Sequence, residues 1–321
     1  MTMQTRTLGA GGPQVGAIGL GCMGMSWAYG ADERDDTASR EVLRRALDLG
    51  VTLVDTADVY GPHTNEELVG AGLGSRRDEA FLATKCGLVA GAGGPGFVGI
   101  SIDGRPEHVR AAIDASLRRL GTDRVDLWQL HRVDPQVPVE ETWGAMAEQV
   151  AAGKALLLGL SEVGVEQLEA AHAVHPVASV QSELSLWTRD PLEQVLPWCQ
   201  ANGAGFLPFS PLGRGFLTGT VSAGSFDASD FRARNPRFTD EAMAANAALV
   251  EAVRAVADRL GAPPAPVALA WVLAQGPHVV PIPGTKKLRW LEQNSAAADL
   301  ALSVDDLAEL DALPAPVGAR Y

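Results

Sequence analysis

Short apolar runs and longer amphipathic runs alternate along this chain. Compact apolar stretches near residues 17–21, 51–55, 80–84, 125–130, 155–160, 178–182, 204–209 and 279–282 are each bounded by glycine or a polar residue, the pattern expected of buried strands. Between them, apolar positions recur at helical spacing. Val109, Ala112, Ile113, Ser116, Leu117 and Leu120 form one face behind Pro106 and ahead of Gly121, a good first residue and a good terminator. Asp36 or Thr37 caps a helix that runs through Val42, Leu43, Ala46 and Leu47 to Gly50. Similar patterns cover 64–73, 138–152, 163–173, 190–202, 240–260, 264–275 and 286–298. A hairpin, Arg6 to Gly9 and Val15 to Ile18 joined by Gly11-Gly12-Pro13, precedes them. Strand and helix alternating eight times predicts an α/β fold, a parallel (β/α)8 TIM barrel. No linker or charge run divides it, so residues 1–321 read as a single domain. Two segments exceed a minimal barrel: a glycine-rich stretch at 86–104 and an irregular one at 213–239. Loops of that length in a compact domain are usually functional lids or disordered.

Composition narrows the partners. Lys and Arg total 26 against 39 Asp and Glu, a net charge of −13. Such a surface repels nucleic acid and anionic membrane, so an anionic ligand needs a local basic patch. Cys22, Cys86 and Cys199 form no CxxC and are odd in number, which fits a reducing, cytoplasmic setting. The opening Met-Thr-Met-Gln-Thr-Arg has no apolar signal region, and no run of about 18 apolar residues occurs. A cytoplasmic protein binding a small molecule is expected. Its oligomeric state is not legible.

Two segments, Gly19-Leu-Gly21-Cys-Met-Gly24 and Gly91-Ala-Gly93-Gly-Pro-Gly96, spell the dinucleotide-binding G-x-G-x-x-G. That motif needs a helix opening on its third glycine. Met25 to Asp32 intervene before the first helical pattern, and Phe97-Val98-Gly99 follow the second. A Rossmann reading is therefore disfavoured.

A different constellation carries the chemistry. Asp55, Lys85 and His131 fall at the C-terminal ends of the second, third and fourth predicted strands, and Tyr60 follows one turn after Asp55. In a barrel these strand ends share one rim. A tyrosine is a weak proton donor at neutral pH, and an adjacent buried lysine is expected to lower its pKa. A carboxylate keeps that lysine ionised, and an imidazole orients a carbonyl oxygen. This set suits protonation of an oxyanion while a nicotinamide delivers hydride. His172 and His175 have H-x-x-H spacing without a third ligand, and paired ligands at strand ends are lacking, so no metal is expected.

The sequence resembles the aldo-keto reductases. The matching segments are Asp55-Thr-Ala-x-x-Tyr60-Gly61, Ala83-Thr84-Lys85, Asp126-Leu-Trp-Gln-Leu-His131-Arg132, Gly159-Leu-Ser161-Glu162, Val180-Gln181-Ser182 and Pro208-Phe-Ser210-Pro-Leu-Gly213-Arg-Gly. They lie in order over essentially the whole chain. Phe226-Asp-x-Ser-Asp-Phe231-Arg and Ile282-Pro-Gly-Thr285 are similar to a bacterial and plant group of that family. The resemblance implies that the N-terminal hairpin plugs the barrel bottom. It implies Tyr60 as proton donor, Lys85 and Asp55 as its tuning pair and His131 as carbonyl orienter. Trp27 and Tyr29, just after the first predicted strand, either wall the substrate pocket or simply pack. The resemblance also implies a cofactor, NADPH with NADH possible, held by Gly21, Met23, Asp55, Ser161 and Gln181, with Phe209 stacked on the nicotinamide. Ser210, Pro211, Leu212, Gly213 and Arg214 would line the pyrophosphate. Gly284, Thr285, Lys286, Arg289, Gln293 and Asn294 would hold the adenosine end. The implied activity is reduction of an aldehyde or ketone to an alcohol. The alternative is a cofactor-bound sensor subunit on the same barrel with little turnover. Phe209 and Leu184 stand where tyrosine is usual, Ala155 to Leu158 replace a more polar strand start, and Trp290 replaces an arginine that faces the 2′-phosphate of NADPH.

Overall fold

The computed structural model of the chain describes residues 3–91, 99–222, 224, 226–227 and 230–320. Strands β1 (Thr5–Thr7) and β2 (Gln14–Gly16) pair antiparallel, with Arg6 opposite Val15. The barrel wall begins with β3 (Leu20–Gly21), β4 (Leu53–Asp55) and β5 (Phe81–Cys86). An antiparallel hairpin, β6 (Leu88–Ala90) with β7 (Ile100–Ile102), then interrupts it. The wall resumes with β8 (Val125–Leu130), β9 (Ala155–Ser161), β10 (Ser179–Glu183) and β11 (Gly205–Phe209). These seven wall strands run parallel in sequence order, β3 to β11.

The eighth place in the wall is filled by 279–284. The amides of Val280 and Ile282 donate to Phe206 and Pro208 on one side, and the carbonyls of Pro281 and Pro283 accept from Gly19 and Gly21 on the other. Pro208, Pro281 and Pro283 have no N–H to give back, so the ladder is half made. Only single parallel bridges, Phe206 to Val279 and Gly21 to Gly284, qualify as strand pairing. The first two glycines of the first G-x-G-x-x-G serve this closure: a Cβ on Gly19 would stand 2.9 Å from the Ile282 side chain, and one on Gly21 2.9 Å from the Ile282 carbonyl oxygen. The residues after the first glycine of the second motif lie outside those described.

Around the wall pack helices α1 (Met23–Ser26), α2 (Asp36–Asp48), α3 (Thr64–Leu73), α4 (Pro106–Leu120), α5 (Val139–Ala151), α6 (Val165–Val174), α7 (Val195–Asn202), α8 (Asp240–Ala245), α9 (Ala247–Leu260), α10 (Pro264–Ala274), α11 (Leu288–Ser295) and α12 (Val304–Asp311). Pro106 and Gly121 bound α4 as expected, the glycine with φ 65°. The cap of α2 is Asp35, one residue before the predicted pair, its carboxylate accepting from the amides of Thr37 and Ala38. The helix expected over 240–260 breaks at Asn246, whose side chain bonds the carbonyls of Ala242 and Val317 and the amide of Val317. Helix α12 was not expected, although Ser303 and Asp306 form a reciprocal capping box readable in the sequence.

Period-two alternation sorts the strand residues. Val54, Leu82, Trp128, Leu158 and Val180 turn outward to a core shared with the helices. Leu53, Ala83, Leu127, Leu207, Val280 and Ile282 fill the barrel interior together with Leu8 and Val15 of the hairpin. The hairpin thus stoppers the N-terminal end, and Arg6 anchors it by donating to the carbonyls of Leu273, Gly276 and Val279 at 2.6 to 3.0 Å. Toward the other end the inward positions become polar: Asp55, Lys85, Gln129 and Gln181. Among the described residues, no helix is long and apolar enough to cross a membrane.

Candidate active site

Register brings the polar strand ends together. Asp55 stands opposite Ala83, Lys85 opposite Gln129, and Ser161 opposite Gln181. After β4 the chain turns through Tyr60 and Gly61, the latter at φ 84°. Asn65 pins this turn, accepting from the Thr56 hydroxyl (2.6 Å) and donating to the Cys22 carbonyl and the Ser26 hydroxyl. The Tyr60 ring lies between Trp27, tilted at 5.7 Å, and His131, edge-on at 5.8 Å between centroids.

The fully buried Lys85 ammonium spends its three N–H groups on Asp55 Oδ1 (2.5 Å), the Thr56 carbonyl (2.8 Å) and the Tyr60 hydroxyl (3.4 Å). The second Asp55 oxygen accepts from Gln181 (2.8 Å) and Gln129 (3.2 Å). Gln129 was not among the expected site residues. Its signal was a polar residue on the inward side of a strand, two before His131. Since Gln181 commits its two N–H groups to Asp55 and to the Gln129 carbonyl oxygen (3.4 Å), its own carbonyl oxygen is what remains for a ligand.

Burial and charge compete on each titrating group. Burial pulls the Lys85 ammonium down, but Asp55 and Tyr60 outweigh it and the pKa ends above its ordinary value. At Tyr60 burial wins in the other sense: it raises the phenol above 10, while Lys85 pulls down without prevailing. The expected net lowering of the tyrosine pKa is therefore not found. The hydroxyl rests protonated, which is the state a proton donor needs. Burial, then Lys85 and Arg132, hold the His131 imidazole well below 6.5, so the ring is neutral at physiological pH.

These directions predict a pH profile. A donor works while protonated, so turnover is lost as pH rises through a pKa raised above the ordinary tyrosine value. Because His131 stays neutral through 6.5, it contributes no limb on the acid side near pH 6. The expected result is a kcat for carbonyl reduction that is level from about pH 6 to about pH 9. An alkaline limb centred near neutrality would contradict the resting state assigned to Tyr60.

A cavity of about 810 Å3 runs from Tyr60 and His131 to Lys286 and Asn294, within the size range of small-molecule sites. Of the residues expected at a cofactor, Gly21, Met23, Asp55, Ser161, Gln181, Phe209, Ser210, Pro211, Leu212, Arg214, Gly284, Thr285, Lys286, Gln293 and Asn294 line it. Lys85 lies behind Asp55 and Tyr60. Gly213 is absent from the lining; a Cβ there would stand 2.8 Å from the Trp187 ring. Arg289 is absent too, its guanidinium lying 4.2 Å over the Trp290 ring. Tyr29, Glu33, Arg132 and Phe226 line the cavity without having been expected at the cofactor, and so do Lys287 of the basic helix start and Arg232 of the three-arginine segment 231–238, which the sequence does mark as a candidate cofactor clamp.

The wall after β11 is strained. Ser210, Gly213, Arg214 and Gly215 all have positive φ, a concentration typical of functional loops. A buried ionic knot holds this loop to the rim. The Glu183 carboxylate accepts from Arg214 (3.1 Å), Arg237 (3.0 Å) and Thr188 (2.8 Å). Arg320 of the C-terminal tail pairs with Glu162, and its carbonyl accepts from Arg214 and Asn235. Of the arginines in 231–238, Arg237 therefore faces Glu183, while Arg232 pairs with Asp230 and lies 4.4 Å over Phe226.

The donors suit an extended dinucleotide. Ser161 and Gln181 line the cleft together with Tyr60; Phe209 offers an aromatic face, and Lys286 and Lys287 supply positive charge. Among the described residues, no group of three or more His, Cys, Asp or Glu is placed to hold a metal ion.

The aldo/keto reductase family profile matches residues 17–315. Probable aldo-keto reductase 1 of Glycine max is 41% identical over 323 residues, covering 99% of this chain and 92% of that protein. The glycerol dehydrogenase of Gluconobacter oxydans superposes with a TM-score of 0.85 at 29% identity, covering 97% of this chain and 95% of that one. The holo form of an aldo-keto reductase from Bacillus halodurans gives 0.80 at 26% identity, covering 99% and 98%. The barrel, the order of its rim residues and these likenesses together make the chain a member of the aldo/keto reductase family.

Proposed function

We propose that the protein is an NADPH- or NADH-dependent reductase of aldehydes or ketones, working as one cytoplasmic barrel domain. The observation that carries this reading is the Lys85 ammonium, which touches both Asp55 and the Tyr60 hydroxyl at the end of a dinucleotide-sized cleft. When bound, the nicotinamide supplies the hydride. Tyr60 donates its proton to the carbonyl oxygen as negative charge develops there. Lys85 limits the cost of the phenolate left behind, and Asp55, held by two carboxamides, keeps that ammonium in place. The neutral His131 ring, edge-on to Tyr60, hydrogen-bonds the same oxygen and orients the carbonyl. Trp27, Val59 and Leu88 pack with Tyr60 in one apolar cluster that holds its ring in place, though none of the three, Trp27 included, lines the cleft where the substrate would sit.

The test is oxidation of NADPH and NADH, followed at 340 nm, with a panel of aldehydes and ketones, alongside nucleotide binding by fluorescence. Carbonyl-dependent oxidation supports the reductase. Tight nucleotide binding without turnover of any carbonyl supports the sensor subunit instead.

A further inference from the structure

We propose that Glu33 sets the choice between the two nucleotides, acting as a resident anion that spends the positive charge at the far end of the cleft. This rests on the dinucleotide reading. With the nicotinamide beside Tyr60, an extended dinucleotide carries its adenosine to Lys286 and Lys287, which line the opposite end with Trp290, Gln293 and Asn294. NADPH differs from NADH by a 2′-phosphate on that adenosine, so discrimination depends on cations free to meet it. Here they are engaged. Lys286 Nζ donates to the carbonyls of Gly30 (2.9 Å) and Tyr29 (3.3 Å) and lies 3.7 Å from the Glu33 carboxylate. Lys287 Nζ lies 3.1 Å from the same oxygen. Asp32, also at this end, adds a second negative charge against the Arg34 guanidinium close to Lys286, and the Arg289 guanidinium is stacked on Trp290 outside the lining. A carboxylate at this position both competes for the lysines and repels a phosphate, as acidic residues do at ribose sites that favour NADH.

Glu33 sits on a short 3-10 turn, Ala31–Glu33, with a mostly exposed side chain, so its replacement leaves the barrel intact. The experiment is titration of NADPH and NADH against wild type, Glu33→Gln and Glu33→Lys by quenching of intrinsic fluorescence, independent of any substrate. The expected result is a shift of the Kd ratio toward NADPH by about two- to fivefold for Glu33→Gln, given the exposure of the pair. Glu33→Lys should move further, and high salt should shrink both shifts. A ratio unchanged in both variants overturns the role of Glu33 while leaving the dinucleotide site standing. Failure of the wild type to bind either nucleotide overturns the dinucleotide reading and this inference with it.

Discussion

Tyr60→Phe is expected to lower kcat for carbonyl reduction by about 10²–10⁴-fold, the span of a lost general acid, while the Kd for NADPH stays within about twofold of wild type. The substitution deletes one oxygen and keeps the ring between Trp27 and His131, so packing is preserved. Lys85 retains its bonds to Asp55 and the Thr56 carbonyl. It loses only the longest of its three contacts, at 3.4 Å. What disappears is the one protonated hydroxyl next to the ammonium. Single-turnover reduction of a saturating aldehyde, paired with a nucleotide titration, separates chemistry from binding. A variant that keeps most of its turnover would move the proton-donor role away from Tyr60. The neutral His131 would then be the group to examine.

The second large effect is on stability. Glu183→Gln is expected to cost about 3–5 kcal/mol, because removing one partner of a buried ion pair leaves the other charge uncompensated. Glu183 is fully buried and is the anion facing Arg214 and Arg237, both nearly buried themselves. Glutamine has nearly the same shape and can still accept from Thr188, so the loss is electrostatic and not a cavity. Arg237 lies 5.3 Å over Trp187, and Trp187 packs at 4.2 Å on Phe216 of the strained loop. The damage therefore spreads from the rim to the cleft wall. Urea unfolding followed by tryptophan fluorescence reads the loss as a lower midpoint with an unchanged slope. A midpoint equal to that of wild type would mean that the knot breaks even with water, as some buried pairs do.

Much of the site was legible because of where polar residues interrupt apolar runs. Asp55, Lys85 and His131 each end a strand, and a parallel barrel gathers such ends at one rim whatever the intervening helices contain. Tyr60 was legible because only one turn separates it from Asp55. Gln129 sits inside Leu-Trp-Gln-Leu and looks like strand interior. Its partner Asp55 lies 74 residues away, and only register across β5 reveals the bond. Glu183 was hidden for the same reason, since its arginine partners come from positions 31 and 54 residues further along. The first G-x-G-x-x-G spells a nucleotide turn without the helix such a turn needs, and its first two glycines serve barrel closure. Glycine is needed wherever backbones approach closely, and the sequence does not say which backbone approaches.

By itself the sequence determined the fold class, the alternation of strands and helices and the four residues of the candidate catalytic group. Each of these follows from periodicity and from strand ends, which are local properties of the chain. The tertiary structure alone decided the pairing at the rim, the engagement of Lys286 and Lys287 by Glu33, and the resting state of Tyr60. A pKa direction is the difference between burial, which raised the phenol, and the pull of Lys85, which lowered it. The sequence names the charges, but only folding sets their depth and distance.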